Sequence, residues 1–327
     1  MELRCITQAQ VESLGIPISE VMRVVEEGWV LKGQGKVEMP AKIGIHPRKD
    51  CYIHAMPCWI GGEVDTCGMK WVSGFPPNLQ KQMPYNIGLF VLTDSDDGHM
   101  KAVIDANWIT SWRTGAASGI CAKHIADPDS DTIGMIGLGT QGRTNTVALI
   151  EALPKLRNIR VYDPLASQVA RYTDFIRPFL KGQEIVPCES IQETVKGADV
   201  VVTCAPILND PKRTVRSEWL KKDMLAIAVD YDSSYDADVM TGGTTFVCDD
   251  LHQYLWTQEE GAYFQKGYPV KEQITGDMGQ VCAGIVKPAR TGRRGAVLMG
   301  IASHDVMTAR LIYKKACELN LGTIIDF

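Results

Sequence analysis

The most restrictive stretch of the chain is Asp131-Thr132-Ile133-Gly134-Met135-Ile136-Gly137-Leu138-Gly139-Thr140-Gln141-Gly142. Its apolar run from Ile133 to Ile136 reads as a buried strand and breaks directly into Gly137-x-Gly139-x-x-Gly142. An amphipathic helix is predicted next, from Thr144 to Leu153. Strand, glycines and helix in that order are what a dinucleotide pyrophosphate needs. The first glycine permits a tight turn, the second lets backbone N–H groups reach the phosphates, and the third lets the helix approach the strand. A carboxylate, Asp163, closes the next predicted strand, Ile159-Arg160-Val161-Tyr162, about 20 residues on. There it can accept from both ribose hydroxyls and repel a 2′-phosphate, which favours NAD, although Arg160 and Arg171 nearby leave NADP open. Gly137, Gly139, Thr140, Gln141, Gly142 and Asp163 are the expected cofactor contacts.

From Asp131 onward the pattern alternates strand and helix. Predicted strands are 132–136, 159–162, 184–186, 199–204, 225–229 and 245–247, which makes a Rossmann-type doubly wound parallel sheet. The stretch from Gly267 to Gly295 reads as irregular and glycine-rich. Before residue 131 the signal differs. A helix over 18–31, with Ser19 as its cap and Gly33 as its stop, precedes short β-rich runs at 41–45, 51–60, 68–74, 87–93 and 100–105. Gly61-Gly62 and Asp97-Gly98 are the hairpin turns. This is an α/β domain with a mainly antiparallel sheet. A helix over 108–126 follows, its middle Gly115-Ala116-Ala117-Ser118-Gly119 made of small residues that suit close helix packing or close approach of a ligand. The last helix, 303–319, can fold back on the N-terminal sheet. The expected division is 1–117 with 303–327 for substrate and dimerisation, and 118–302 for the dinucleotide.

At 327 residues the chain has room for two such cores. A net charge of −5 gives no footprint for nucleic acid or an anionic membrane, and no apolar run approaches the roughly 20 residues of a membrane helix. The start, Met1-Glu2-Leu3-Arg4-Cys5, has no signal-peptide pattern, and the ten cysteines are scattered without a C-x-x-C pair. Reduced thiols in a cytoplasmic protein are expected. Cys51, Cys58 and Cys67 lie near His46 and His54, but their spacing fits no zinc pattern, so no metal is expected.

Candidate chemistry rests on cations in apolar settings. Lys70 shares a predicted strand face with Gly68 and Val72, Lys42 follows Pro40-Ala41, and Arg113 lies on the small-residue helix. A desolvated ammonium or guanidinium calls for an anionic partner, and a substrate carboxylate is one. Ligands of a parallel sheet bind at its C-terminal strand ends. There Asp230 and Asp232 follow the strand 225–229, and Thr203 at the end of the strand before is an expected cofactor neighbour. Asp232 serves either as a proton donor or acceptor or, with Ser233, as a cap for the next helix.

Taken together, these residues resemble the ornithine cyclodeaminase/mu-crystallin family over nearly the whole length. The likeness is carried by Gly68-Met69-Lys70-Trp71-Val72 with Pro77-Asn78, by Leu92-Thr93-Asp94 and Gly98, and by Ile109-Thr110-Ser111-Trp112-Arg113-Thr114-Gly115-Ala116-Ala117-Ser118. The glycine loop and Gly300-Ile301-Ala302-Ser303-His304-Asp305 complete it. The resemblance implies a homodimer whose N-terminal domain, completed by the last helix, holds an amino or imino acid over a Rossmann domain. It implies that Lys70 and Arg113 bind the substrate carboxylate and that Asp232 is catalytic. Lys42 stands where the family has an arginine, keeping the charge without the bidentate fork. Met56 joins the implied substrate contacts, Thr114 and Met299 the cofactor contacts. His54 stands where ornithine cyclodeaminases resemble one another in a glutamate that takes an amino group; histidine offers no permanent negative charge there. It serves either the substrate side chain or a structural partner. The expected activity is NAD(P)-dependent, reversible reduction of an α-imino acid to an α-amino acid. Ornithine cyclodeamination and mu-crystallin-like ligand binding are the alternatives.

Overall fold

The computed structural model describes residues 2–326, which divide into two compact units, 2–113 with 301–326 and Thr114–Gly300. In chain order the first unit carries β1 (Glu2–Ile6), α1 (Gln8–Ser13), α2 (Ile18–Gly33), β2 (Val37–Glu38), β3 (Ile43–Ile45), β4 (Tyr52–Ile60), β5 (Thr66–Gly74), β6 (Asn86–Thr93) and β7 (Met100–Asp105). Helix α3 (Ala106–Ile125) runs on into the second unit. That unit holds β8 (Thr132–Ile136), α4 (Thr140–Ala152), β9 (Asn158–Tyr162), α5 (Ala166–Ile176), β10 (Glu184–Pro187), α6 (Ile191–Val195), β11 (Val200–Thr203), β12 (Met224–Ala228), α7 (Ala237–Thr241), β13 (Thr245–Cys248), α8 (Leu251–Glu259), β14 (Gly276–Asp277), α9 (Met278–Cys282) and β15 (Arg293–Val297). The chain then returns to the first unit with α10 (Ala302–Glu318) and β16 (Thr323–Asp326).

In the first unit the sheet order is β16-β1-β7-β6-β5-β4-β2, with β3 also on β4. The meander β4 to β7 is antiparallel as expected, but β1 pairs parallel with β7, so the sheet is mixed. The strands β1 and β16 and the helix α1 go unread in the sequence, because each is too short to establish a period. Helix α1 is instead fixed by its ends: Thr7 Oγ1 accepts from Gln10 N, and the Gln10 side chain accepts from Thr7 N. Helix α2 is entered through extended Pro17, not capped by Ser19, and runs past Leu31 to Gly33. Its buried stripe Val21, Val25 and Trp29 packs on α10. Helix α10 in turn covers β4, β5 and β6, so the predicted return of the last helix to the N-terminal sheet is found. Strand period 2 puts Gly68, Lys70 and Val72 on the buried side of β5. The opposite side of β4–β6 leaves Trp59, Trp71 and Leu89 exposed at 41%, 49% and 53%.

The second unit is a parallel sheet in the order β10-β9-β8-β11-β12-β15-β13-β14. Connections from β8 wind one way and those from β11 the other, so the topological switch falls between these two strands. Two expectations fail here. The stretch expected to be irregular up to Gly295 contains β14, α9 and β15, and β15 lies inside the sheet between β12 and β13. Arg293-Arg294-Gly295 hides that strand. The Arg294 guanidinium is buried, donating to Asp223 Oδ1 at 2.6 Å and to the carbonyl of Arg290, which satisfies a cation inside a strand. Helix α4 starts at Thr140, four residues before the predicted start, and is buried all round its middle, Thr144 to Ile150, rather than amphipathic. Its hydroxyls make this possible: Thr146 Oγ1 donates to Gly142 O at 2.9 Å and so accepts from the Tyr172 hydroxyl. The small-residue run of α3 has a packing reason at Gly115, where a Cβ would overlap the Thr144 carbonyl. Among the described residues no helix is long and apolar enough to cross a membrane.

Candidate functional site

At the switch point the three glycines do three different things. Gly137 has φ +86, and a Cβ there would press on the Cys204 carbonyl just after β11. A Cβ on Gly142 would overlap the Gly137 carbonyl, so only glycine lets α4 come this close to the loop. Gly139, by contrast, would meet nothing within 4 Å. The open side of the loop therefore lies at Gly139, which is also the N-cap of the thirteen-residue α4 and makes no side-chain cap bond. Uncapped N–H groups at the positive end of a helix are a cradle for a pyrophosphate. Asp163 overlooks the same loop: Oδ2 accepts from Leu138 N at 2.9 Å and Oδ1 from Leu165 N at 2.9 Å. Each oxygen keeps a lone pair for a ribose hydroxyl. These residues fit a nicotinamide dinucleotide. Gly137, Gly139, Thr140, Gln141, Gly142 and Asp163 are thus gathered in one place. Thr203 closes β11, but its hydroxyl is committed to Asp230 at 2.6 Å. Thr114 lies on α3 and Met299 two residues past the end of β15, both buried.

Beyond β12 the two carboxylates separate in role. Asp230 accepts from Thr203 Oγ1, from Ser234 Oγ at 2.5 Å and from Ala205 N at 3.1 Å, tying the ends of β11 and β12 together. Burial pushes its carboxyl up to about 6 against the pull of those bonds. Asp232 is equally buried but carries one ion pair, Oδ2 to Arg213 Nη2 at 3.1 Å. Its carboxyl is also raised by burial, with Arg213 opposing. Asp232 caps nothing: the next helix, α7, has Asp236 at its N-cap position and no side-chain cap bond.

In the first unit Lys70 and Arg113 share a single carboxylate. Asp305 Oδ1 accepts from Lys70 Nζ at 2.7 Å and from Arg113 Nε at 3.0 Å, with Asp305 and Lys70 0% exposed and Arg113 7%. Burial, then the neighbouring guanidinium, brings the Lys70 ammonium down to about 8 despite Asp305. The adjacent His304 stands edge-on to Trp29, ring centroids 4.3 Å apart, and burial holds it well below the ordinary imidazole range. One carboxylate between two buried cations leaves positive charge uncompensated, which is the electrostatic condition for binding an anion. Met56 lies directly across from Lys70 in the β4–β5 register, and His54 across from Val72 on the same side. His54 stacks on Tyr52 at 4.3 Å, and a Cβ on facing Gly44 would overlap its ring. Burial, then Lys42, His46 and Lys70, lowers its imidazole to about 2, so it is neutral. Lys42 is itself buried. Lys42, His54, Met56, Lys70 and Arg113 therefore belong to one cluster in one unit.

The ornithine cyclodeaminase/mu-crystallin family matches residues 2–320. The chain belongs to that family. An alanine dehydrogenase from Archaeoglobus fulgidus is 32% identical over 333 residues, covering 100% of this chain and 99% of the relative. Among solved structures, an archaeal alanine dehydrogenase dimer with bound NAD has a TM-score of 0.86 at 28% identity, covering all of both chains. Thermococcus litoralis Δ1-pyrroline-2-carboxylate reductase, in complex with NADH and L-proline, also has a TM-score of 0.86, at 25% identity, covering 99% of this chain and 100% of that one. The α/β architecture with one parallel and one largely antiparallel sheet is that of these neighbours.

Sequence reasoning assigns no role to Asp305 or Arg213. A usable signal existed for Asp305, an acid in the first turn of a helix whose later turns are apolar. None existed for Arg213, in an irregular segment. Replacing Asp305 with alanine leaves two buried cations without a counter-ion and is expected to cost about 3–5 kcal/mol, read as a lower urea midpoint. An unchanged midpoint would show that the shared carboxylate is not needed.

Proposed function

We propose that the chain catalyses the reversible reduction of an α-imino acid to the α-amino acid with NADH. The observation that carries this reading is the Lys70–Asp305–Arg113 cluster, whose excess positive charge suits an α-carboxylate. NADH, when held by the glycine loop and Asp163, would supply the hydride that reduces the imine carbon, and the nitrogen would take up the C=N electron pair and a proton. Arg113 and Lys70, with Lys42 adding charge, fix the carboxylate, so the reacting carbon is oriented rather than merely bound. Asp232 carries the charge opposite to an iminium nitrogen and exchanges its proton. Neutral His54, with Met56 beside it, meets the substrate side chain and offers a terminal ammonium no negative charge, which separates this site from ornithine chemistry. Asp163 favours NAD over NADP. All ten cysteines are free thiols, which suits the reducing cytoplasm.

The deciding experiment presents pyruvate and other 2-oxo acids with ammonia or amines, and cyclic ketimines, and follows NADH oxidation, with Asp232→Asn in parallel. Turnover of an imino acid is expected, with the variant slower by roughly 10²–10⁴ at unchanged NADH affinity. Full activity in Asp232→Asn would remove Asp232 from the mechanism. Ammonia released from ornithine at constant NADH absorbance would make the chain a cyclodeaminase, and ligand binding without turnover would make it a mu-crystallin-like binding protein.

The charge on Lys70 sets a second expectation. With the ammonium brought down to about 8 beside Arg113 and Asp305, the carboxylate-binding form is lost as pH rises through that value. Thus kcat/KM should fall above about pH 8, and Lys70→Arg should remove that limb. A limb unchanged by Lys70→Arg would assign it to another group.

We further propose a homodimer that covers the exposed apolar side of β4–β6, where Trp71 pairs with Leu89 and Trp59 lies nearby. Light scattering should give twice the chain mass, and Trp71→Glu should give the monomer; a monomeric parent would refute it.

A further inference from the structure

Arg213 lies between β11 and β12, and everything it does is directed at Asp232 and the segment that faces it. Its backbone is left-handed, φ +47, an unfavourable conformation for a residue with a side chain, and is held there because its N–H donates to Ser233 O at 2.8 Å. The next extended residue, Val215, donates to Ser234 O at 2.8 Å, so the main chain around Arg213 is laced to the residues that follow Asp232. Tyr231, immediately before Asp232, and Phe264 and Lys266, in the facing segment, are left-handed too, with φ +61, +58 and +56. Strained non-glycine residues thus converge on one carboxylate from three segments of the chain.

The guanidinium is locked in its plane. Nη2 donates to Asp232 Oδ2 at 3.1 Å and to Gln265 O at 2.7 Å, and Nη1 donates to Lys266 O at 3.1 Å. Its central carbon lies 4.8 Å from the centroid of the Tyr268 ring. Tyr268 is anchored in turn, its hydroxyl donating to Tyr235 O at 3.1 Å. The fork of donors and the flat face are both used, which an ammonium cannot reproduce. The result is an asymmetric carboxylate. Oδ2 of Asp232 is fixed, whereas Oδ1 is buried and makes no hydrogen bond among the described residues.

We infer that Arg213 is the positioning residue for Asp232: it holds Oδ2 and so presents Oδ1 as the acceptor for the N–H of an imino or amino substrate. This rests on the assignment of Asp232 under the proposed function and deepens it, since it names the atom that meets substrate nitrogen. Arg213 makes no contact with substrate in this role and acts through the carboxylate alone. The other titratable groups that bear on Asp232 are Tyr254 of α8 and Tyr268, both phenols pushed up by burial and neutral at working pH. Arg213 is therefore the cation whose hydrogen bond and charge oppose the upward push of burial on Asp232.

The test uses the full-length enzyme with NADH and either Δ1-pyrroline-2-carboxylate or pyruvate with ammonia. In Arg213→Gln the acid limb of kcat should move up by about 1 pH unit or more, because the buried carboxylate loses its counter-charge. NADH dissociation constants and substrate KM should stay within about twofold, since neither is held by Arg213. Arg213→Lys keeps the charge without the fork, so its kcat should fall while the acid limb moves less; if Arg213→Gln does not fold, this variant decides, and a parental kcat in it overturns the proposal. In an Asp232→Asn background, Arg213→Gln should cost nothing further. An acid limb that stays in place, or losses that multiply in the double variant, would show a structural role only and overturn the proposal. Full activity in Asp232→Asn would instead overturn the role of Asp232 itself, so the two failures are told apart.

Discussion

The first unit is organised around one carboxylate oxygen, Oδ1 of Asp305, which receives both Lys70 and Arg113 away from water. Each cation by itself would be a costly guest in an apolar interior, and one partner for two leaves the debt half cleared. The consequences spread outward. The β5 strand must present Lys70 to the helix side, α10 must begin so that Asp305 reaches it, and α2 must cover that start, which Trp29 does against His304. A chain segment more than two hundred residues further along is thereby tied to the N-terminal sheet by charge as well as by packing.

The second unit depends on a different constraint, the close approach of backbones. Gly137 against the Cys204 carbonyl, Gly142 against Gly137 and Gly115 against Thr144 are places where no side chain fits. Together they bring α3, α4 and the ends of β8 and β11 close enough for a loop to be lined by main-chain N–H groups. Specific carboxylates then stiffen the rim: Asp163 holds the glycine loop and Asp230 binds the loop after β11 to that after β12. Architecture and recognition use the same donors here.

Much of this was legible in the chain because it is local. The glycine loop, the alternation on β5 and the small residues of α3 announce themselves within ten residues. What escaped notice depends on partners far along the sequence. A buried strand beginning Arg293-Arg294 looks like surface until Asp223 and the backbone carbonyls that satisfy Arg294 are known. Asp232 read equally well as a helix cap until α7 was found to start further on, at Asp236. Lys70 and Arg113 were recognisable as desolvated cations seeking an anion, but the protein supplies one of its own from α10, which no periodicity or motif in the N-terminal half encodes.

The stacking of His54 on Tyr52 has one more consequence. An imidazole brought to about 2 stays uncharged, with one ring nitrogen protonated and the other free to accept. The residue best known as a biological pH sensor is here a fixed aromatic surface with hydrogen-bonding nitrogens. The charge at that end of the cluster is therefore constant with pH, whereas Lys70, on the neighbouring strand, has its charge near the point of change. The two ends of the cluster thus respond to separate variables, shape at His54 and charge at Lys70, so one can be altered and the other left in place.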